Sequence, residues 1–176
     1  MFSDPRHNIE QLGLSDGAIV ADFGAGSGFY AVEAGKAVAP SGTVYAVDIQ
    51  RELLERLKKE AQRLGAKNIE IIAGNIEKLG GSKIREGTCD AVIASNVLFM
   101  VENRKNLILE AKRVLKPNGR LLVIDWAASF SQMGPHGDHV IYKDDAMNLG
   151  LSAGLEFERE IRAGAHHYGI IFRKRQ

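Results

Sequence analysis

Cysteine is almost missing from this chain: Cys89 is the only one among 176 residues. No internal disulfide can form, and zinc sites assembled from several cysteines are excluded. Cys89 stands just before the apolar run Ala91-Val92-Ile93-Ala94, with no sequence neighbour that would lower its pKa, so it reads as a buried structural thiol. An excess of either charge is missing too. The formal net charge is +1, which leaves no whole-chain field to draw in nucleic acid or an anionic membrane. The basic groups Lys112, Arg113 and Lys116, and the run Arg173-Lys174-Arg175, read as solvated faces. No apolar run approaches the roughly 20 residues of a membrane span. The opening Met1-Phe2-Ser3-Asp4-Pro5-Arg6-His7 has neither a basic leader nor an apolar core, so no signal peptide is expected and the cytoplasm is the expected setting. Repeats, low-complexity tracts and linkers are also lacking, and a chain of this length suits a single domain over residues 1–176.

What is present is alternation. Short β-rich apolar runs at 18–23, 43–48, 69–73, 90–95 and 120–125 take turns with helical patterns at 29–39, 51–64 and 103–115. Nearly continuous apolar runs mark strands buried on both faces, and their alternation with helices marks a covered parallel sheet. In 51–64, Leu53, Leu54, Leu57, Ala61 and Leu64 form one stripe, closed by Gly65. The pattern in 103–115 breaks at Lys116-Pro117-Asn118-Gly119. A loop rich in Gly, Pro and His at 134–137 precedes a helix at 143–153, then strands at 156–162 and 167–174 joined by Ala163-Gly164-Ala165. A link that short forces an antiparallel pair, because a parallel crossover needs about a dozen residues or more. The expected fold is therefore α/β, with parallel strands and an antiparallel hairpin added at one edge.

The most informative stretch is Val20-Ala21-Asp22-Phe23-Gly24-Ala25-Gly26-Ser27-Gly28-Phe29. A strand ends, a glycine loop follows and a helix begins, so backbone N–H groups face a ligand with no Cβ in the way. The dinucleotide fingerprint G-x-G-x-x-G would need glycine at position 29, where this chain has Phe29. Asp22 sits two residues before the first glycine, where it would repel a pyrophosphate and suit an ammonium. S-adenosylmethionine (SAM) presents an ammonium there. Asp48, followed by Ile49, ends the second strand where a carboxylate can accept from two ribose hydroxyls. Its other reading is an N-cap for the helix that starts near Arg51, and both can hold. After the third strand, Asn75 can reach an adenine amine while Ile76 covers the ring, although an asparagine there is also a common turn residue.

These residues resemble the class I SAM-dependent methyltransferase superfamily, and the likeness runs along nearly the whole chain. Asp22-Phe23-Gly24-Ala25-Gly26-Ser27-Gly28 is similar to that family's first motif, and Ala46-Val47-Asp48 to its acidic end of strand two. Gly74-Asn75-Ile76-Glu77 resembles its adenine loop, with Asn75 where the family usually has Asp; an amide oxygen still accepts the amine's proton. Cys89-Asp90-Ala91-Val92-Ile93-Ala94-Ser95-Asn96-Val97-Leu98 and Glu110-Ala111-Lys112-Arg113-Val114-Leu115-Lys116-Pro117-Asn118-Gly119 resemble the segments around strands four and five. Closest in flavour is the branch of ubiquinone/menaquinone-biosynthesis C-methyltransferases. The resemblance implies a Rossmann-like three-layer sandwich with a seven-stranded, mostly parallel sheet and a C-terminal antiparallel hairpin. It implies SAM as cofactor and in-line displacement at its sulfonium. It also implies cofactor-binding roles for Asp22, Gly24, Ala25, Gly26, Gly28, Asp48, Ile49, Asn75, Ile76, Ser95 and Asn96.

The acceptor is less legible. The Asn/Asp-Pro-Pro-Tyr/Phe signature of amino-group methylation is absent, no Pro-Cys pair exists for attack on cytosine, and arsenic methylation needs several thiols. Acceptor-side candidates lie at the carboxyl ends of strands four and five: Asn96, Phe99, Asp125 and Trp126, with the loop His136-Gly137-Asp138-His139. Asp125, His136 and His139 are the candidate bases, and no metal is expected. Alternation along the last strand sends His167 to the face opposite His166 and Tyr168. The segment 2–12, His7 included, could fold over the cofactor as a lid, by fold analogy. The expected acceptor is a small molecule; alternatives are a protein side chain, RNA, or a non-catalytic SAM-binding role as monomer or homodimer. An NAD(P)-dependent oxidoreductase is a remote reading, because none of Tyr30, Tyr45, Tyr142 and Tyr168 has a lysine at the fourth position after it.

Overall fold

The computed structural model describes residues 3–130 and 133–176. Seven strands form one sheet in the order β3-β2-β1-β4-β5-β7-β6. In chain order they are β1 (Ile19–Phe23), β2 (Thr43–Asp48), β3 (Ile69–Ala73), β4 (Cys89–Ser95), β5 (Leu115–Trp126), β6 (Leu155–Ile161) and β7 (His167–Lys174). Adjacent strands among β1 to β5 pair in parallel, whereas β7 runs antiparallel to both β5 and β6. The hairpin inferred from its short link is there, folded so that β7 lies inside and β6 forms the edge.

Strand alternation sorts the core into two layers. Val20, Val44, Ala46, Ala91, Ile93, Leu122 and Ile171 face α1 (Pro5–Leu12), α2 (Phe29–Ala37) and α3 (Arg51–Arg63). Ala21, Phe23, Val92, Ala94, Leu121, Val123 and Phe172 face α4 (Arg104–Val114) and α5 (Lys143–Ser152). The strand order reverses between β1 and β4, so a crevice opens where their carboxyl ends diverge, the place where such sheets hold ligands.

Two elements differ from the sequence pattern. First, β5 begins at Leu115, not after Gly119. Leu115 pairs with Cys89, and the ladder resumes at Ala91–Arg120 after a register shift. Asn118 takes φ +65° there, so Pro117-Asn118-Gly119 is an irregularity within the strand and not its start. Second, the part of 2–12 within the described residues is a docked helix; Phe2 lies outside them. Asp4 caps α1 by accepting from the amides of Arg6 and His7, Pro5 opens it, and Gly13 closes it at φ +68°. Ile9 and Leu12 are buried, and the Arg120 guanidinium donates to Leu12 O at 2.7 Å. Arg159 donates to Gln11 O at 2.7 Å, and the Gln11 amide donates to Arg162 O at 3.0 Å. These bonds pin the carboxyl end of α1 to the sheet, so it is a fixed wall. Among the described residues no helix is long and apolar enough to cross a membrane.

Candidate active site

The glycine loop is stitched to the end of β2. Val47 O accepts from the amides of Gly24 at 2.8 Å and Ala25 at 3.0 Å. Asp48 Oδ2 accepts from Gly26 N at 2.9 Å, and Oδ1 from Gln50 N at 2.8 Å. The second bond is a turn closed by the side chain, not a helix cap: Gln50 is the N-cap of α3 and no side chain caps it. Gly24, Gly26 and Gly28 all have positive φ, the conformation that disfavours a side chain. Their surroundings differ. A Cβ on Gly24 would stand 2.7 Å from Val97 Cγ2, one on Gly28 would stand 2.4 Å from Leu57 Cγ, and one on Gly26 would meet nothing closer than 3.9 Å.

Two cavities flank this loop. One, about 460 Å³, is lined by Gly24, Gly26, Asp48, Ile49, Asn75, Ile76, Ser95 and Asn96 among others. The other, about 200 Å³, is lined by Ser3, Pro5, Asp22, Gly24, Ala25, Phe29, Tyr30, Ser95 and Asn96. They share Gly24, Ser95 and Asn96 and so lie on either side of the β1–β4 divergence. Every cofactor candidate lines one of them except Gly28, whose place is the N-cap of α2 packed against Leu57.

Three buried polar atoms around these cavities lack partners. Asp22 is 2 % exposed, and its Oδ2 has no hydrogen-bond partner, as is true of Ser95 Oγ and Asn96 Oδ1. Burial pushes the Asp22 carboxyl up to about 7; the Ala31 amide opposes that, and the Asp48 charge adds to it. A buried carboxylate oxygen without a donor suits a cationic group. Asn96 takes φ +55°, a strained value for a residue with a side chain, at the lip of both cavities.

Asn75 Oδ1 accepts from Glu77 N at 2.9 Å, which leaves a lone pair on that oxygen. Glu77 then ties this loop to the start of α4: its Oε1 accepts from Glu102 N at 2.6 Å and its backbone oxygen from the Asn106 amide at 3.0 Å. Ile76 is buried, while Ile49 is 67 % exposed at the cavity mouth. Sequence reasoning missed Leu53, Met100 and Val101 as further lining. Leu53 was legible as part of the α3 stripe but not as a cavity wall.

Of the acceptor-side candidates, Asn96 lines both cavities, whereas Phe99, Asp125, Trp126 and the loop at 136–139 line neither. Asp125 is 1 % exposed, accepts from Leu98 N at 3.0 Å and Trp126 N at 2.8 Å, and lines neither cavity. Burial pushes its carboxyl up to about 6, against the pull of those amides. Its position is that of a strut between β5 and the loop after β4. His136 and His139 are exposed around the short 3₁₀ turn Gly137–His139, where neither lines these cavities. No metal-holding cluster of His, Cys, Asp or Glu occurs among the described residues. His167 instead is 8 % exposed and stacks on Trp126 with ring centroids 4.4 Å apart.

Residues 14–167 match a family model described as a methyltransferase domain. The chain belongs to this family. S-adenosylmethionine is its cofactor, and Asp22 Oδ2 beside the glycine loop, buried and without a donor, suits that molecule's ammonium. The chain is similar to the ubiquinone/menaquinone biosynthesis C-methyltransferase UbiE of Pasteurella multocida, with 32% identity over 69% of this chain and 45% of the relative. It is similar to an arsenite methyltransferase of Aquipseudomonas alcaligenes, with 33% identity over 64% of this chain and 34% of the relative. The chain thus spans about a third to a half of the length of these curated relatives. In structure it resembles a SAM-dependent methyltransferase from Aquifex aeolicus, with TM-score 0.88 and 27% identity over 98% of this chain and 90% of that one.

Proposed function

We propose that this chain transfers the methyl group of SAM to a small organic acceptor. The observation that carries the cofactor placement is Asp22 Oδ2, buried and without a donor at the mouth of the glycine loop. In this reading Asp22 pairs with the ammonium. Asp48 accepts from the ribose hydroxyls with the lone pairs left beside its bonds to Gly26 and Gln50. Asn75 receives the adenine amine, Ile76 and Ile49 cover the ring, and Ser95 and Asn96 line the path between the two cavities. Gly24 and Gly26 leave the backbone bare, and Gly28 lets α2 start close against α3. Bound SAM supplies an electrophilic methyl on a sulfonium, so the chain's task is to bring an acceptor into line in a site that excludes water.

Both named relatives act, by their names, on small molecules, which supports that acceptor class. Arsenite itself is disfavoured. Trivalent arsenic calls for several thiolates, whereas Cys89 is buried and burial pushes its thiol up to about 12. The balanced formal charge of +1 gives little support to an RNA acceptor.

Calorimetry with SAM, S-adenosylhomocysteine and NADH tests the cofactor, and transfer of labelled methyl into small-molecule, protein and RNA fractions tests the acceptor. Binding of SAM with label in the small-molecule fraction is expected. Label in protein or RNA alone would replace the acceptor class. Binding with no transfer to any fraction would replace the enzyme by a SAM-binding partner protein, and NADH binding without SAM binding would overturn the reading.

A further inference from the structure

The loop at 74–82, which carries Asn75 and Ile76 into the cavity of about 460 Å³, folds back on itself. Gly81 O accepts from Asn75 N at 2.9 Å, and Lys78 O accepts from Gly81 N at 2.8 Å. There is no slack in this contact. A Cβ on Gly81 would stand 2.0 Å from Asn75 O, and one on Gly74 would stand 2.6 Å from Gly81 O. The place of Asn75 therefore depends on where Gly81 is held.

One face of α4 holds it. Glu110 is 0 % exposed and grips both neighbours of Gly81: Oε2 accepts from Gly80 N at 2.7 Å, and Oε1 accepts from Ser82 N at 3.1 Å and Ser82 Oγ at 2.5 Å. Arg113, three residues on, donates to each Glu110 oxygen at 2.8 Å and to Ile84 O at 2.7 Å. Asn106, four residues before Glu110 and so on the same face, donates to Glu77 O at 3.0 Å. Leu107, Ile108, Ala111 and Val114 fix the helix itself in the core. Burial alone would raise the Glu110 carboxyl, yet Arg113, Ser82 and Gly80 hold it down at about 2, so it stays a charged acceptor. A well-packed apolar residue can replace such an ion pair without loss of stability, so what the pair adds here is a fixed geometry. Glu110 itself lines neither cofactor-side cavity.

We propose that Glu110 is a positioning residue for adenine recognition: through Gly80 and Ser82 it holds Gly81 O against the Asn75 amide, which sets Asn75 Oδ1 to take the exocyclic amine and to reject an oxo group in its place. The inference rests on the placement of adenine against Asn75 and adds what fixes that placement. Glu77 N donates to Asn75 Oδ1 at 2.9 Å, so a flipped side chain that could serve an oxo group would lose that bond. Hydrogen bonds weaken steeply with misalignment, so a loosened loop reads the ring less sharply.

S-adenosylhomocysteine is compared by calorimetry with S-inosylhomocysteine, which carries an oxo group where adenine has its amine. The wild type is expected to prefer the adenine compound about tenfold or more. Glu110→Gln, which turns one acceptor oxygen into a donor among donors, is expected to cut that preference about threefold or more. Ser82→Ala, which removes only the hydroxyl contact, is expected to fold and to move the preference in the same direction. In Asn75→Ala the preference is expected to be gone already, and adding Glu110→Gln should change it no further. Leu107→Ala, a core change in the same helix, is expected to lower the melting temperature and leave the preference as it was. A folded Glu110→Gln protein with the wild-type preference would overturn the proposal, as would a Ser82→Ala protein with it should Glu110→Gln not fold. An equal loss of preference in Leu107→Ala would overturn it too, by making Glu110 merely structural. A wild type that binds both compounds alike would remove adenine from Asn75 and this proposal with it, whereas failure of S-adenosylhomocysteine to bind would strike the cofactor reading instead.

Discussion

Asp48 Oδ2 accepts the Gly26 amide at 2.9 Å, so the carboxylate at the end of β2 and the bend after β1 form one unit. Asp48 Oδ1 is engaged as well, by Gln50 N. The side chain is therefore oriented before any ligand arrives, which lowers the entropy that binding must overcome. Asp48→Ala is expected to weaken SAM by about 1–3 kcal/mol through loss of charge-assisted bonds. Calorimetry on the folded variant checks this. Unchanged affinity would confine Asp48 to bracing the loop.

Asp22 sets a pH dependence. In the unfolded chain its carboxyl titrates near 3.8, and in the folded, cofactor-free protein at about 7. Between those values the folded state keeps a proton that the unfolded state has lost. The Asp22 contribution to stability is therefore fullest below 3.8 and is lost as pH rises through about 7. Asp22→Asn is expected to raise the melting temperature of the cofactor-free protein above pH 7, with the gain shrinking towards pH 4, roughly the unfolded value. The same variant is expected to lose SAM affinity, by about 1.5–3 kcal/mol. In the wild type, binding below pH 7 releases close to one proton, visible as a buffer-dependent heat. A gain in stability without a loss of SAM affinity would remove Asp22 from the ammonium site.

Much of this was readable because it is local. The runs at 43–48 and 69–73 coincide with β2 and β3, and the glycine loop sits between β1 and α2 as its residues require. The helix α1 was overlooked although Asp4-Pro5 and Gly13 are its start and stop signals, because its apolar content, Ile9 and Leu12, is thin. The N-cap reading of Asp48 gave way because its oxygens already serve Gly26 and Gln50. The bond between Asn8 and Tyr30 joins residues far apart in sequence, and no local pattern encodes it. The same holds for the His167–Trp126 stack, which depends on β5–β7 register. Exposed His136 and His139 look chemical in sequence, yet neither lines the cofactor-side cavities.

Asp125 separates a base from a strut. It is buried and bonded to the amides of Leu98 and Trp126. A general base typically contributes about 10²–10⁴-fold, so its loss would be severe even in a well-folded variant. The strut instead predicts that Asp125→Asn, which keeps an acceptor oxygen, retains activity within about tenfold of wild type. Asp125→Ala strands the Leu98 amide and is expected to cost about 1–3 kcal/mol of stability. Steady-state rates and melting curves of both variants decide the matter; a folded Asp125→Asn protein without activity would restore the base.

The glycines at 26 and 28 should fail in different ways. Both have positive φ, +52° at Gly26 and +84° at Gly28, so alanine meets backbone strain of roughly 1–2 kcal/mol at either. At Gly28 the new methyl would also stand 2.4 Å from Leu57 Cγ, inside the α2–α3 packing, and overpacking adds about 1–3 kcal/mol. At Gly26 the methyl would meet no protein atom closer than 3.9 Å, and the residue lines the cofactor-side cavity. Gly28→Ala is therefore expected to lower the melting temperature sharply. Gly26→Ala should fold with a smaller loss and bind SAM far more weakly than its stability suggests. Measured side by side, equal losses of SAM affinity per unit of stability lost would show that Gly26 acts through the fold alone.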